Sequence, residues 1–209
     1  MLAGVFDRID ELTGHLDELS SHWWFLLIVA VIAFLDSVVP IVPSETAVII
    51  GGVAAGQGNQ PIVAVIAVAA VGAFLGDTTA YQLGARLRGF VERRAARRAT
   101  SQARLDWAKR QIRTRGGSLL ITARFIPGGR TALTVASGVT HQPFAWFARW
   151  IAIAVVLWAS YAGLLGYVFG TTFEDNHTAA FLVAFSCALG VTVLIEVVRH
   201  FRRKRAEQA

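Results

Sequence analysis

Apolar residues run along this chain in long blocks. They neither alternate nor keep to one face of a period. The runs 23–39, 61–85, 144–170 and 178–199 approach the roughly 20 residues that a helix needs to cross a bilayer, the first being marginal in length. Two further apolar stretches, 40–58 and 117–140, are interrupted by Pro40, Pro43, Glu45, Gly51 and Gly52, and by Arg124, Pro127, Gly128, Gly129 and Arg130. Each is predicted to be a broken, re-entrant hairpin that dips into the membrane and returns to the same side. Non-helical backbone at membrane depth survives only inside protein or beside a wet cavity, since an unpaired amide in hydrocarbon costs several kcal/mol. Two such segments therefore imply a cavity.

The order of landmarks repeats. Pro43, Gly51 and Gly52, Gln60-Pro61, Tyr81 and Gly84 are followed by Pro127, Gly138, Gln142-Pro143, Tyr161 and Gly166, and the two distances from proline to Gln-Pro differ by only two residues. The expected fold class is an all-α polytopic membrane protein with about four spanning helices, together with amphipathic N-terminal and cytoplasmic helices. Its two opposed re-entrant hairpins form an inverted repeat, the plan by which many transporters build a midplane site.

Charge sets the orientation. Residues 86–115 hold eleven Lys/Arg against Glu92 and Asp106, and residues 199–209 hold five against Glu207. Placing the basic loop 86–115 in the cytoplasm also places the tail 201–209 there, as the positive-inside rule requires, and puts both termini inside. The first hairpin then opens outward and the second inward. A nucleic-acid partner is disfavoured, because these basic segments sit between or beside membrane runs.

Composition agrees: the 209 residues are 55% hydrophobic and 16% charged, below the roughly 25% of soluble domains, with net charge +6. Residues 1–22 carry five acids and Arg8, which excludes a cleavable signal peptide; Phe6, Ile9, Leu12, Leu16 and Leu19 predict an amphipathic helix on the membrane or on the bundle. Cys187 stands alone, so no internal disulfide forms, and no Cys/His spacing suggests a metal or a cofactor. Self-association into a homo-oligomer stays open.

Six ionisable residues lie within apolar sequence: Asp36, Glu45, Asp77, Arg124, Arg130 and Arg149. A charge at the bilayer centre costs about 2.5–3.5 kcal/mol on the lenient scale, so such residues face a partner or water. The three acids belong to the first half and the three arginines to the second, so they can neutralise one another. Asp36 and Glu45 bracket the first hairpin as a carboxylate pair able to exchange a proton; the plainer alternative makes them helix-end residues. Asp77 is open to proton coupling or to a polar network with Tyr81. Arg124 and Arg130 flank Pro127-Gly128-Gly129, where glycine backbone can approach a ligand closely and two guanidinium forks suit a phosphate. The alternative is a pair of counter-ions. Asp36 or Glu45 is expected within ion-pair or water-bridged reach of Arg124 or Arg130. Arg86, Arg88, Arg149 and Glu196 read as snorkelling residues, and Trp23, Trp24, Trp146 and Trp150 as an interfacial belt. The spacing Gly72 to Gly76 reads as a helix-contact motif.

Pro43-Ser44-Glu45, Gly76-Asp77 with Tyr81 and Gly84, Arg124-Phe125-Ile126-Pro127-Gly128-Gly129-Arg130 and Gly138 together resemble the DedA family, bacterial members of the VTT-domain superfamily. The resemblance covers about residues 20–200, with Arg-Phe-Ile-Pro-x-x-Arg its most specific part. It implies a multi-pass protein of the bacterial cytoplasmic membrane with opposed re-entrant hairpins, linked to envelope and proton-motive-force homeostasis. Some members return undecaprenyl phosphate to the cytoplasmic face, others are linked to phosphatidylethanolamine, and eukaryotic relatives scramble phospholipids. Family-essential acids match Asp36 and Glu45, and family-essential arginines match Arg124 and Arg130. Ser44 stands where the family commonly has Gly, and Asp36 where Glu is often found.

The expected function is transport of an anionic lipid, such as a polyprenyl phosphate, coupled to protons. Arg124, Arg130, Gly128 and Gly129 would bind the headgroup, and Asp36, Glu45 and Asp77 would carry protons. A lipid-modifying membrane enzyme needs a nucleophile and base, and His22, His141 and His177 form no such constellation. A scaffold whose basic loop binds anionic lipid is the third class.

Overall fold

A computed structural model describes residues 22–39, 44–125 and 129–172, with positions 183 and 186. The regular elements there are helices: α1 Trp23–Val38, α2 Ser44–Gly56, α3 Ile62–Ala95, α4 Ala99–Thr122, a 3-10 turn Ala123–Phe125, α5 Gly129–Val139 and α6 Phe144–Thr172. The amphipathic segment 1–22 (apart from His22), the span 178–199 (apart from positions 183 and 186) and the tail 201–209 lie outside the described residues.

Among the described residues, two helices are long and apolar enough to cross a membrane, α3 with 34 residues and α6 with 29. At 1.5 Å per residue α3 is about 50 Å long, roughly 20 Å more than the hydrocarbon core. Its excess carries Arg86, Arg88, Arg93 and Arg94, so the expected basic loop 86–115 is largely helical: α3 runs on to Ala95 and α4 resumes at Ala99. Glu92 ties the two, accepting from Arg88 Nε and Lys109 Nζ at 3.2 Å each. Helices α1 and α2 are shorter, at 16 and 13 residues. The described part of the first expected hairpin is the single helix α2. In the second, residues 117–122 finish the long α4, the 3-10 turn follows, and α5 begins at Gly129, with α4 and α5 packed on each other.

The repeat reappears in hydrogen bonds. After α2, Asn59 N–H donates to the Ala54 carbonyl and Gly58 N–H to Ala55; after α5, Gln142 N–H donates to Ser137 and His141 N–H to Gly138. Both are Schellman caps, with Gly58 at φ 86° and His141 at φ 60° in the left-handed position. Pro61 and Pro143 then open α3 and α6, their carbonyls accepting from Val65 and Phe147. Proline fits that place because it has no N–H to leave unpaired.

The chain divides into two compact units. One comprises residues 1–29, 44–68 and 159–209, the other 30–43 and 69–158. In the first unit α2 lies against α6 with backbones nearly touching: a Cβ on Gly52 would strike the Gly163 carbonyl, and one on Gly166 the Ile49 carbonyl. In the second unit α5 lies as closely on α3, where a Cβ on Gly138 would strike Tyr81 and one on Gly84 would strike Val135. Each short helix therefore packs on the long helix of the other half of the repeat.

Candidate functional site

All of the site described here lies in the second unit. Gly72 and Gly76 place α3 against α1, since a Cβ on either would meet the Ala30 or Phe34 carbonyl. This contact carries Asp77 into the interior beside the last turn of α1, where Ser37 Oγ donates to the carbonyls of Ala33 at 3.1 Å and Ala73 at 3.3 Å. The break in the second expected hairpin supplies the cations, Arg124 from the 3-10 turn and Arg130 as the second residue of α5. Thr131 Oγ1 pins α5 to α1 by donating to the Ser37 carbonyl at 3.3 Å.

Four charges form a chain. Arg124 Nη1 donates to Asp77 Oδ2 at 2.7 Å, Arg130 Nε stands 3.8 Å from Asp77 Oδ1, and Arg130 Nη2 lies 3.1 Å from Asp36 Oδ2. Arg130 Nη2 also donates to the Asp36 carbonyl. All are buried, from Asp77 at 0% exposed to Asp36 at 8%. The Arg124 guanidinium lies 4.7 Å over the buried Trp158 ring. Two carboxylates and two guanidiniums sum to zero, which is what an apolar interior tolerates. Removing one partner from such a pair costs about 3–5 kcal/mol, because its mate stays buried and uncompensated.

Glu45 belongs to the first unit and is exposed in the first turn of α2, where a carboxylate is favoured by the helix dipole. Gly129 is the first residue of α5, and Gly128 lies outside the described residues. Among the described residues Tyr81 makes no hydrogen bond to Asp77; its hydroxyl donates to the Gln142 carbonyl at 2.6 Å, and its ring stacks on Phe147 at 4.5 Å. Arg149 is exposed. Trp146 and Trp150 do more than line an interface, since they cover Gly116 and Gly117 of α4. Sequence reasoning passed over Trp158 and Thr134. Trp158 sits in the middle of an apolar run, far from both ends, which separates it from belt tryptophans.

The fold and the cluster define a helical membrane protein whose apolar helices enclose an internal ion-pair network. A family model described as the VTT domain matches residues 42–168, more than half of the chain. The chain belongs to this family, as a DedA-type VTT-domain membrane protein. It is 28% identical over 199 residues to an uncharacterised membrane protein of Synechocystis, covering 92% of this chain and 90% of that one. It is 25% identical to Protein DedA of Escherichia coli K12 over 209 residues, covering 95% and 94%. It is 24% identical to undecaprenyl phosphate transporter A of Bacillus subtilis over 144 residues, covering 68% and 72%. No solved structure matches the chain.

Proposed function

We propose that this protein is a flippase-type transporter of an anionic lipid in the bacterial cytoplasmic membrane. Undecaprenyl phosphate or a similar polyprenyl phosphate is the substrate, and transport is coupled to the proton gradient. The observation that carries this reading is the neutral buried cluster of Asp36, Asp77, Arg124 and Arg130 beside the N-terminus of α5. Planar guanidinium forks take phosphate bidentately, and a helix N-terminus adds favourable dipole to the same site.

Neutrality supplies the coupling. A phosphate that engages Arg130 must displace Asp36, and with a singly charged phosphate the cluster then holds one surplus negative charge. Proton uptake by the displaced carboxylate restores the balance, and Asp36 is the member of the cluster with most exposure. Headgroup and proton therefore enter together and leave together. In this reading Asp77 keeps Arg124 in place, Gly128 and Gly129 let backbone approach the phosphate, and Glu45 relays protons from the first half. The relative named as an undecaprenyl phosphate transporter supports the substrate class. Re-entrant hairpins of opposite orientation, four crossings and cytoplasmic termini complete the proposed topology; accessibility of single cysteines placed in 86–115 and 201–209 from each side of the membrane tests it.

The decisive experiment is transport of a fluorescent polyprenyl phosphate in proteoliposomes, with and without a pH gradient. Arg124→Lys and Arg130→Lys keep one charge but lose the fork, so each is expected to cut transport at least tenfold at equal membrane abundance. Glu45→Gln is expected to abolish the response to the pH gradient, because an amide cannot exchange the proton. If both lysine variants transport as the parent does, the arginines are counter-ions only and the headgroup assignment is wrong.

A further inference from the structure

Helix α5 places Thr134 one turn beyond Arg130, so both lie on its buried face. The Thr134 side chain is fully enclosed, yet its hydroxyl makes no hydrogen bond among the described residues. Thr78 Oγ1 of α3 shares this state, but several other helical Ser and Thr hydroxyls do not. Ser37, Thr79, Thr114, Thr122, Ser137 and Thr172 each donate back to the carbonyl four residues earlier in their helices. The same bond, to the Arg130 carbonyl, is not made by Thr134. The indole N–H of Trp158, whose ring lies under Arg124, is also without a partner, although the residue is only 2% exposed. Arg130 Nε makes no hydrogen bond either; it stands 3.8 Å from Asp77 Oδ1, which also lacks one.

An enclosed, unsatisfied polar atom costs about 1–3 kcal/mol, so several around one cluster call for a guest. Indole and guanidinium N–H groups can only donate. The guest must therefore bring acceptors for these groups, which a bare cation does not have. An oxyanion has them.

We propose that Thr134 and Trp158 are direct ligands of the phosphate oxygens, completing a donor set begun by Arg124 and Arg130. The Trp158 ring also positions Arg124 through its face. This inference rests on the phosphate reading given above and adds residues to that same site.

The test is binding of inorganic phosphate and of farnesyl phosphate to the purified full chain in detergent, followed by calorimetry and by ligand-induced thermal shift. Thr134→Val keeps the shape and removes the hydroxyl, Thr134→Ser keeps the hydroxyl, and Trp158→Phe keeps a ring under Arg124 and removes the N–H. Thr134→Val and Trp158→Phe are each expected to weaken farnesyl phosphate binding about tenfold, while Thr134→Ser binds like the parent. Should Trp158→Phe fail to fold, the Val and Ser pair at Thr134 carries the test. Much tighter binding of farnesyl phosphate than of inorganic phosphate identifies a lipid headgroup as the source, and equal binding a free anion; both support an oxyanion site. If the parent binds and Thr134→Val binds equally well, the inference fails and the phosphate reading survives. If the parent binds neither compound, the phosphate reading falls and takes the inference with it.

Discussion

Helices α2 and α5 occupy equivalent places in the chain. They have 13 and 11 residues, each closes in a Schellman cap, and each is followed by Gln-Pro and a long apolar helix on the other side of the turn. Each presses glycine onto the long helix of the opposite half. Their buried faces differ. Helix α2 buries Ser44 at its start and beyond it only apolar side chains and glycine, Val48, Ile49, Gly51, Gly52, Val53, Ala54 and Ala55, whereas α5 buries Arg130, Thr134 and Ser137 along with Gly138 and Val139. The second residue of α2 is Glu45, a carboxylate at the end the helix dipole favours. The second residue of α5 is Arg130, a cation at the end the dipole opposes, so it must borrow anions from α1 and α3. One backbone plan thus appears twice, and among the described residues only the α5 copy holds a buried charge cluster.

The contrast can be broken most sharply at Asp77. Asp77→Ala leaves Arg124 buried without its 2.7 Å partner and is expected to cost about 3–5 kcal/mol in reversible unfolding in detergent. Replacing both, Asp77→Leu with Arg124→Met, should recover most of that loss while abolishing function. Equal stability of Asp77→Ala and the parent would mean the pair is not desolvated.

Glycine contacts should behave alike in the two units. Gly52→Ala and Gly138→Ala each drive a methyl into a facing carbonyl oxygen, so each is expected to cost about 1–3 kcal/mol, read by the same denaturation. A large effect at one and none at the other would break the repeat.

The caps supply a smaller comparison. Gly58→Ala puts a Cβ at φ 86° and should lose about 1 kcal/mol, while His141→Gly relieves a side chain at φ 60° and should gain up to about 1 kcal/mol, both visible as melting-temperature shifts of opposite sign. Smallest of all is the stability effect of Glu45→Gln, within about 0.5 kcal/mol because the side chain is exposed. A loss as large as that of Asp77→Ala would show that Glu45 is a buried ion-pair member after all.

Much of the architecture was legible in the chain. Long apolar runs mark α3 and α6, and prolines mark the openings of α3 and α6 because the ring removes a donor that an interior helical position needs. The two Gln-Pro pairs mark the places where matching helix caps stand. The helical extent of 86–115 was less clear, since a basic segment past the hydrocarbon edge has no apolar period to reveal it. Segregation of acids to one half and arginines to the other fixed the kind of interaction, and local sequence placed Arg124 and Arg130 around one break.

Which acid meets which arginine was decided by tertiary structure alone. Asp77 lies 47 residues from Arg124, and Asp36 lies 94 from Arg130, so no local pattern relates them. Each residue along a helix turns the side-chain direction by about 100°, and the rotation that faces Asp77 toward Arg124 is set by backbone approach at Gly72 and Gly76. The sequence ranked Glu45 with Asp36 because both flank prolines. Packing instead put Asp77 at the centre of the cluster, set Trp158 under Arg124, and enclosed the Thr134 hydroxyl, because burial and partner choice follow from how distant helices meet.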